Sequence, residues 1–352
     1  MEEKIRLTID GNPVDVAKGA TILEAAQEAG VYIPTLCADH DLKPYGACRL
    51  CLVEVEGNRR PALPSCSTPA ADEMVVRTSS PLINKLRRNI VELMLSDHPE
   101  DCLTCPQNNR CELQQVAAYV GVREIRFRGE KRHYTIDASN PFFERDLERC
   151  ILCGKCVRVC EEVQGRSAIH FAYRGFETKI ATVLDLPLDQ SVCESCGQCV
   201  AKCPTGALHT KASIQFGLPT QEVKTTCGYC GVGCGLILQI RDNRIIGVEG
   251  DHDSPVNWGR LCVKGSFGYD YVHHPERLTS PLVRKDGEFQ EAPWDEALDL
   301  IVEKLASVVD NDGPDAVAFL SSAKCTNEEN YLLQKLSRGV IGTNNIDHCA
   351  RL

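Results

Sequence analysis

The chain has 352 residues, 25% of them charged and 43% hydrophobic, and carries a net charge of −10. At roughly 100–200 residues per domain this length predicts several domains, while the composition excludes wholesale disorder and the acidic balance excludes nonspecific nucleic-acid binding. Its 21 cysteines come with neither a secretory leader nor an apolar run of membrane-spanning length, which excludes a secreted disulfide scaffold. We therefore expect a cytoplasmic chain without a membrane span, whose reduced thiols bind metal.

The first 80 residues predict a small β-rich domain. Alternating hydrophobic residues on both sides of Asp10-Gly11 predict a hairpin, and Thr21 with Glu24 forms a capping-box pattern that starts a short helix ending near Ala29. Hairpin, helix and cysteine loop in this order are typical of a β-grasp ferredoxin. The four cysteines resemble the plant-type [2Fe–2S] arrangement in kind, with different gaps, and zinc or free thiols are the alternative. They are Cys37, Cys48, Cys51 and Cys66.

A helix and a mixed histidine–cysteine segment follow. Hydrophobic residues from Leu82 to Met94 recur at helical spacing and predict a helix that ends near Ser96. Three cysteines after it lack a local fourth, so we expect the preceding histidine to complete a [4Fe–4S] site rather than to be an ordinary loop residue. This set is His98, Cys102, Cys105 and Cys111. The arginine-rich stretch 121–133 predicts a connector.

Next comes an internal repeat with an offset of 43 residues. Three thiolates spaced two residues apart bind one cubane, and the fourth reaches the other cluster. Two structural zinc sites are the alternative, but zinc ribbons place their cysteine pairs far apart. We therefore assign one [4Fe–4S] to Cys150, Cys153, Cys156 and Cys203, and a second to Cys193, Cys196, Cys199 and Cys160.

A fourth pattern has a long gap before its last cysteine. The gap contains a predicted hairpin, 236–240 with 244–248, that returns the last thiol to the others. We expect a fourth [4Fe–4S] site here, followed closely by Lys264, whereas Cys325 and Cys349 are expected not to bind a cluster. The ligands are Cys227, Cys230, Cys234 and Cys262.

Residues 277–352 predict the start of an α/β domain. Hydrophobic spacing predicts a helix over 298–308, a short buried strand over 316–320, and a helix capped by Asn327 that runs to about Arg338. Strand, loop and helix in this order begin an α/β nucleotide-type domain. A sheet needs several strands, so we expect this domain to be incomplete.

These motifs resemble known families. The [2Fe–2S] pattern followed by the His98 segment is similar to the large iron–sulfur subunit of respiratory complex I and to the N-terminal region of [FeFe]-hydrogenases. The Cys227 pattern with Lys264 resembles the cluster domain of molybdopterin oxidoreductases, which include formate dehydrogenases and nitrate reductases. Residues 321–331 and 342–352 resemble formate dehydrogenase catalytic subunits, so the resemblance spans the whole chain.

The residues and the resemblance together predict an α+β multidomain iron–sulfur protein. Its expected domains are a β-grasp [2Fe–2S] domain (1–80), a one-His/three-Cys [4Fe–4S] domain (81–120), a double [4Fe–4S] ferredoxin domain (138–212), a molybdopterin oxidoreductase [4Fe–4S] domain (220–276) and the truncated start of a molybdopterin-binding α/β domain (277–352).

The resemblance also implies a function, namely formate oxidation or CO2 reduction at a molybdenum or tungsten bis-pterin guanine dinucleotide centre. Lys264 would relay electrons between the pterin and the Cys227 cluster; a plain surface lysine is the alternative. The ferredoxin clusters, the His98 cluster and the [2Fe–2S] cluster would carry electrons onward. Because the sequence offers no nicotinamide or flavin site, the acceptor would be a diaphorase-type, hydrogenase or ferredoxin partner.

In that family the metal-ligating cysteine or selenocysteine lies shortly after the stretch that matches Cys349 to Leu352, and a catalytic histidine follows it. We therefore expect no catalytic residue within this chain beyond the relay Lys264. Our hypothesis is that Leu352 is an artificial end at a selenocysteine UGA codon, and that the 352-residue chain alone is inactive toward formate.

Other function classes are a stand-alone electron-transfer protein, an [FeFe]-hydrogenase and a complex I subunit. The Cys227 set and Lys264 argue against the hydrogenase. The doubled ferredoxin module argues against complex I.

Overall fold

The N-terminal sheet is built around a hairpin. Its order is β2-β1-β5-β3-β4; β1 pairs antiparallel with β2 and parallel with β5. The predicted hairpin is confirmed, and so is the capping box, in which the Thr21 hydroxyl accepts from the Glu24 N–H while the Glu24 carboxylate accepts from the Thr21 N–H. The elements are β1 (Lys4–Ile9), β2 (Asn12–Ala17), α1 (Ile22–Glu28), β3 (Leu52–Val55), β4 (Leu63–Pro64) and β5 (Val75–Arg77).

The described residues, 3–349 of a computed structural model, divide between Gly217 and Leu218 into two units, each of which is described by itself. The hypothesis about Leu352 lies outside the described residues. No helix among these residues has the length and apolarity needed to cross a membrane.

Two helices follow the sheet, α2 (Pro81–Asp97) and α3 (Glu112–Tyr119). The predicted helix is present as α2, and the Ser80 hydroxyl caps it by accepting from the Ile83 N–H. The buried face of α2 includes the polar Arg87 and Glu92, whereas Leu82 and Leu93 of the predicted apolar pattern are exposed. The helix therefore packs the guanidinium of Arg87 against the cysteine loops. Hydrophobic spacing alone does not predict this contact. Residues 120–136, after α3, form no helix or strand.

Each half of the cysteine repeat contains one short helix, and the two helices begin at equivalent positions of the repeat. Gly154 and Gly197 precede these helices at φ 73° and 79°, which explains why glycine recurs at this offset. Strand β6 pairs antiparallel with β9, and β7 with β8. The elements are β6 (Phe143–Arg145), α4 (Lys155–Arg158), β7 (His170–Ala172), β8 (Lys179–Ala181), α5 (Gln198–Ala201), β9 (Leu208–Thr210) and α6 (Lys211–Phe216).

The second unit begins with a three-stranded antiparallel sheet of order β10-β11-β12. The predicted hairpin β11–β12 is confirmed, and β10, which pairs with β11, was not predicted. A short helix and a second hairpin follow. The elements are β10 (Gln221–Thr226), β11 (Gly235–Arg241), β12 (Arg244–Gly250), α7 (Val263–Phe267), β13 (Leu282–Lys285) and β14 (Glu288–Glu291).

The last described elements are α8 (Trp294–Asp312), β15 (Phe319–Ser321), α9 (Asn327–Lys335) and β16 (Ile346–His348), with β15 and β16 parallel. The strand predicted over 316–320 is present but begins at Phe319, and the prediction that it is buried is wrong. Residues Pro314–Ala316 form a 3-10 turn, the strand starts later, and Leu320 is 87% exposed.

Asn327 was also wrongly predicted to cap α9. The cap is Thr326, whose hydroxyl accepts from the Glu329 N–H at 3.2 Å while the Glu329 carboxylate accepts from the Thr326 N–H at 2.7 Å. The Asn327 amide instead donates to the Gly231 carbonyl at 2.8 Å. The reciprocal pair satisfies two backbone N–H groups, which a single asparagine cap cannot.

Candidate metal centres

The first candidate centre, the Cys37 site, gathers four buried thiols from the loops between α1 and β5. The Cys48 N–H donates to Cys37 Sγ at 3.4 Å, and the Leu36 N–H donates to Cys48 Sγ at 3.5 Å. Hydrogen bonds from the Cys48 and Cys66 thiols lower the pKa of Cys37, and a bond from Cys66 lowers that of Cys51. Four converging sulfur donors with N–H bonds fit a [2Fe–2S] group. The site is Cys37, Cys48, Cys51 and Cys66.

Arg87 supports this site from α2. Its buried guanidinium donates to the carbonyl oxygens of Leu50 and Leu52 at 2.9 and 2.7 Å, on either side of Cys51. Burial lowers the pKa of Arg87, opposed by nearby anionic groups that include the Cys51 thiolate. The cysteine spacing does not point to this residue, but its place on the apolar face of the predicted helix is a signal in the sequence.

In the second centre, the His98 site, the histidine is poised to bind through one nitrogen. His98 Nδ1 lies 2.9 Å from the Pro99 carbonyl oxygen, which only accepts, so Nδ1 carries the proton. Nε2 is buried and has no hydrogen-bond partner among residues 3–349. Burial lowers the pKa of His98, which favours the neutral ring. An orphaned lone pair on a neutral imidazole fits an iron ligand.

The three cysteines of the His98 site lie on a short turn and at the start of α3. Burial raises the pKa of Cys111, and the nearby Cys105 and Cys102 thiols raise it further. The hydrogen bond to Asp101 raises the pKa of Arg149, and Cys105 raises it further. The positive charge of Arg149 in turn adds to the lowering of the pKa of His98. This arginine is held by Asp101 at 2.6–2.7 Å. The site is His98, Cys102, Cys105 and Cys111.

The repeat forms two further centres, and each takes its fourth thiol from the other half. One cavity is lined by Cys150, Cys153, Cys156 and Cys203, and this is the Cys150 site. Another is lined by Cys160, Cys193, Cys196 and Cys199, and this is the Cys160 site. The structure therefore brings together the same two sets that the spacing predicts.

The two halves of the repeat also share equivalent hydrogen bonds to sulfur. The Leu152 N–H donates to Cys150 Sγ, and the Ser195 N–H donates to Cys193 Sγ, each at 3.4 Å. Leu152 and Ser195 both have φ near +55°, a strained conformation that directs the N–H to sulfur. Burial raises the pKa of Cys150 to about 11. Metal binding therefore has to displace a proton here.

The fourth cysteine pattern forms the Cys227 site in the second unit. The Cys227 N–H donates to the Cys234 carbonyl at 2.8 Å. Burial raises the pKa of Cys234, and the thiols of Cys227, Cys230 and Cys262 raise it further. Cys262 is exposed, whereas the other three are half-buried. All four donors are sulfur, which fits a [4Fe–4S] group.

Lys264 lies on α7, two residues after Cys262, and is half-buried. Among residues 3–349 no ion pair involves its ammonium group. Cys325 is half-buried and Cys349 is exposed. Cys349 Sγ lies 3.5 Å from the Ser322 hydroxyl, and this hydrogen bond lowers the pKa of Cys349.

The N-terminal and C-terminal parts of the chain match different known families. Residues 220–274 match the molybdopterin oxidoreductase Fe4S4 domain, and residues 277–352 match the molybdopterin oxidoreductase domain. The C-terminal part of the chain is therefore similar to molybdopterin oxidoreductases. This confirms the expected family and the mixed α and β fold class.

The N-terminal part of the chain matches three other iron–sulfur families. Residues 2–81 match a 2Fe-2S iron–sulfur cluster binding domain. Residues 87–126 match the NADH-ubiquinone oxidoreductase-G iron–sulfur binding region, and residues 140–209 match the ferredoxin-like domain of NADH-quinone oxidoreductase subunit 3.

Individual relatives combine the same parts. The chain is 43% identical over 350 residues to the NADPH-Fe(3+) oxidoreductase subunit alpha of Geobacter sulfurreducens, covering 99% of this chain and 40% of the relative. It is 33% identical over 392 residues to putative formate dehydrogenases of Staphylococcus aureus, covering 100% of this chain and 39% of the relative. The chain thus spans about two fifths of the length of these curated relatives.

One solved structure is also similar. A chain of an NAD+-reducing [NiFe]-hydrogenase in the H2-reduced state aligns with a TM-score of 0.54 and 31% identity, covering 59% of this chain and 88% of that chain.

Proposed function

We propose that this chain is the electron-transfer part of a formate dehydrogenase or CO2 reductase. It relays electrons between a molybdenum or tungsten bis-pterin centre and a partner through one [2Fe–2S] and four [4Fe–4S] clusters. One observation carries the proposal: the candidate ligands gather into five separate sets of four, and His98 supplies the donor that its three cysteines lack.

When bound, the clusters supply one-electron carriers. The residues of this chain would hold each cluster and set its electrostatic surroundings, and the four buried thiols of the Cys37 site would also exclude water from it. Cys153 packs in the same hydrophobic core as Cys37, Cys48 and Cys111. Because the Cys37, His98 and Cys150 sites share this core, clusters held there would be separated by buried protein rather than by solvent.

Lys264 is proposed to lie between the Cys227 cluster and the pterin. An ammonium group there stabilises negative charge as an electron passes. A partner of the diaphorase or hydrogenase type receives electrons from the [2Fe–2S] end, in the cytoplasm, where thiols stay reduced. The similarity to a chain of an NAD+-reducing hydrogenase supports this choice of partner.

The 43% identity to an NADPH-Fe(3+) oxidoreductase subunit favours a second candidate. In that case the same clusters serve an NADPH-linked enzyme, and formate is not its substrate.

The test is to tag the chain in its native host and purify it anaerobically with whatever subunits accompany it. Electron paramagnetic resonance then follows cluster reduction after adding formate or NADPH. Reduction by formate supports the first candidate. Reduction by NADPH with no response to formate supports the second and rejects the first.

A matched pair of serine variants tests the ligand assignment within the same preparation. Cys262→Ser should lose the iron of one [4Fe–4S] cluster, whereas Cys325→Ser should keep the full iron content. Equal iron content in the two variants would reject Cys262 as a ligand.

A further inference from the structure

A buried arginine of the repeat holds the loop of the Cys37 site. Arg158 lies on α4 between Cys156 and Cys160 and is 7% exposed. Its guanidinium donates to the carbonyl oxygens of Cys37 and, at 2.7 Å, of Lys43. Arg158 lies between Cys156 and Cys160, which are ligands of two different [4Fe–4S] sites, and it thereby binds the backbone of a [2Fe–2S] ligand 121 residues away.

The second half of the repeat contacts the same loop. Lys202, directly before Cys203, places its ammonium 2.9 Å from carboxylate oxygens of both Asp39 and Asp41. The side chains of these three residues are at most 10% exposed. Each half of the repeat thus carries one cation between its third and fourth cysteines, and both cations contact the loop formed by residues 37–43.

The two cations differ in charge balance. Lys202 is balanced by two carboxylates, whereas across residues 3–349 no carboxylate lies within ion-pair distance of Arg158. Burying an unpaired cation costs several kcal/mol. Two carbonyl dipoles and the Tyr45 ring, 5.1 Å from the guanidinium carbon, offset part of that cost. A net-negative cluster on the four thiolates of the Cys37 site would supply the remaining counter-charge.

We propose that Arg158 and Lys202, with Asp39 and Asp41, form a latch that fixes the [2Fe–2S] cluster against the ferredoxin sites, and that Arg158 also raises the reduction potential of that cluster. The proposal rests on the cluster assignment in the proposed function. Reduction adds negative charge, so a nearby fixed cation favours the reduced form. Arg158 is a positioning residue, because it acts through the Cys37 backbone.

The test uses the complete protein with its subunits and compares Arg158→Gln, Arg158→Lys and Lys202→Gln with the wild type. Arg174→Gln, which removes an exposed cation of the same segment, is the matched control. Each sample is measured for iron content, for the midpoint potential of the [2Fe–2S] signal in a redox titration, and for the spin-relaxation enhancement of that signal by neighbouring reduced clusters.

We expect Arg158→Gln to shift the [2Fe–2S] potential to lower values and to weaken the relaxation enhancement. Arg158→Lys keeps the charge but cannot reach both carbonyls, so it should stay near the wild-type potential and lose relaxation enhancement. Lys202→Gln should mainly lose relaxation enhancement. The control should match the wild type in all three measurements.

Unchanged potential and relaxation in Arg158→Gln, with full iron content, would overturn the latch and leave the proposed function intact. If Arg158→Gln does not accumulate, Arg158→Lys and Lys202→Gln decide, and wild-type relaxation in both overturns the latch. A wild-type protein without a [2Fe–2S] signal overturns the cluster assignment itself, so the two failures are distinguishable.

Discussion

His98 directs Nδ1 to the carbonyl oxygen of Pro99 at 2.9 Å, whereas Nε2 is buried and finds no hydrogen-bond partner in the part of the chain that the structure describes. A buried nitrogen that lacks a partner is costly, about 1–3 kcal/mol. A metal bond removes that cost, and the Pro99 carbonyl fixes both the tautomer and the orientation of the ring, as partners of ligating histidines do in metal sites.

Two replacements of His98 test its role as a ligand, because alanine removes the donor whereas cysteine exchanges it for a thiolate. His98→Ala should lose the iron of one [4Fe–4S] cluster. His98→Cys should keep that iron but lower the cluster potential, because a thiolate is anionic and the imidazole is neutral. Iron analysis and a redox titration measure both effects. His170→Ala, an exposed histidine on β7, is the control; full iron content in His98→Ala would contradict the ligand role.

Gly206 leaves room for the His98 site. A Cβ added there would lie 2.8 Å from Cys105 Sγ and 3.1 Å from Arg149 Cδ. Gly206→Ala should displace Cys105, destabilise the protein by about 1–3 kcal/mol through overpacking, and lower the iron content of that site. Gly129→Ala, where a Cβ meets no atom within 4 Å, should change neither quantity. Thermal unfolding and iron analysis provide the comparison.

Arg87 is expected to be essential for the Cys37 site. Arg87→Met leaves the carbonyl oxygens of Leu50 and Leu52 buried without donors, which should cost about 2–4 kcal/mol in unfolding free energy and weaken [2Fe–2S] retention. Arg88→Met, at the exposed neighbouring position on α2, is the matched control. Denaturant titration measures the difference, and equal stability of the two variants would argue against this role.

Because of Tyr269, we expect the stability of the fold to depend on pH in the alkaline range. Burial raises the pKa of Tyr269 to about 12 from its ordinary value of 10.0, and its hydroxyl donates to the Ile246 carbonyl at 3.1 Å. In the unfolded chain the phenol loses its proton first, so its contribution to stability is complete below pH 10 and is lost as the pH rises through 12.

The measurement is denaturant unfolding across this range. Tyr269→Phe should lose about 1 kcal/mol at neutral pH through the missing hydrogen bond, and should then lose less than the wild type as the pH rises. The exposed Tyr331→Phe should follow the wild-type curve. A wild type and a Tyr269→Phe variant with parallel curves above pH 10 would show that this phenol is not buried in solution.

The sequence predicted the features that depend on neighbours in the chain. Cysteine spacing decides which thiols converge because a few residues limit their reach, and this holds for the Cys150 and Cys160 sets. The β1–β2 hairpin and the Thr21 capping box also close over a few residues. Their hydrogen bonds are local, so the pattern alone identifies them.

Where local signals were weak or competed, prediction failed. Asn327 is a good capping residue, but the reciprocal Thr326–Glu329 pair caps α9 instead. Strand β10 was missed because it is mostly polar and exposed, so it shows no hydrophobic alternation and is defined by its pairing with β11.

The sequence by itself thus determined the sets of thiols, the first hairpin and its helix cap. Only the tertiary structure decided which charged groups surround them. Arg87 reaches Leu50, and Arg158 reaches Cys37 across 121 residues. No spacing rule predicts such contacts, because a buried guanidinium takes whichever carbonyl oxygens the packing of distant segments brings within hydrogen-bond distance.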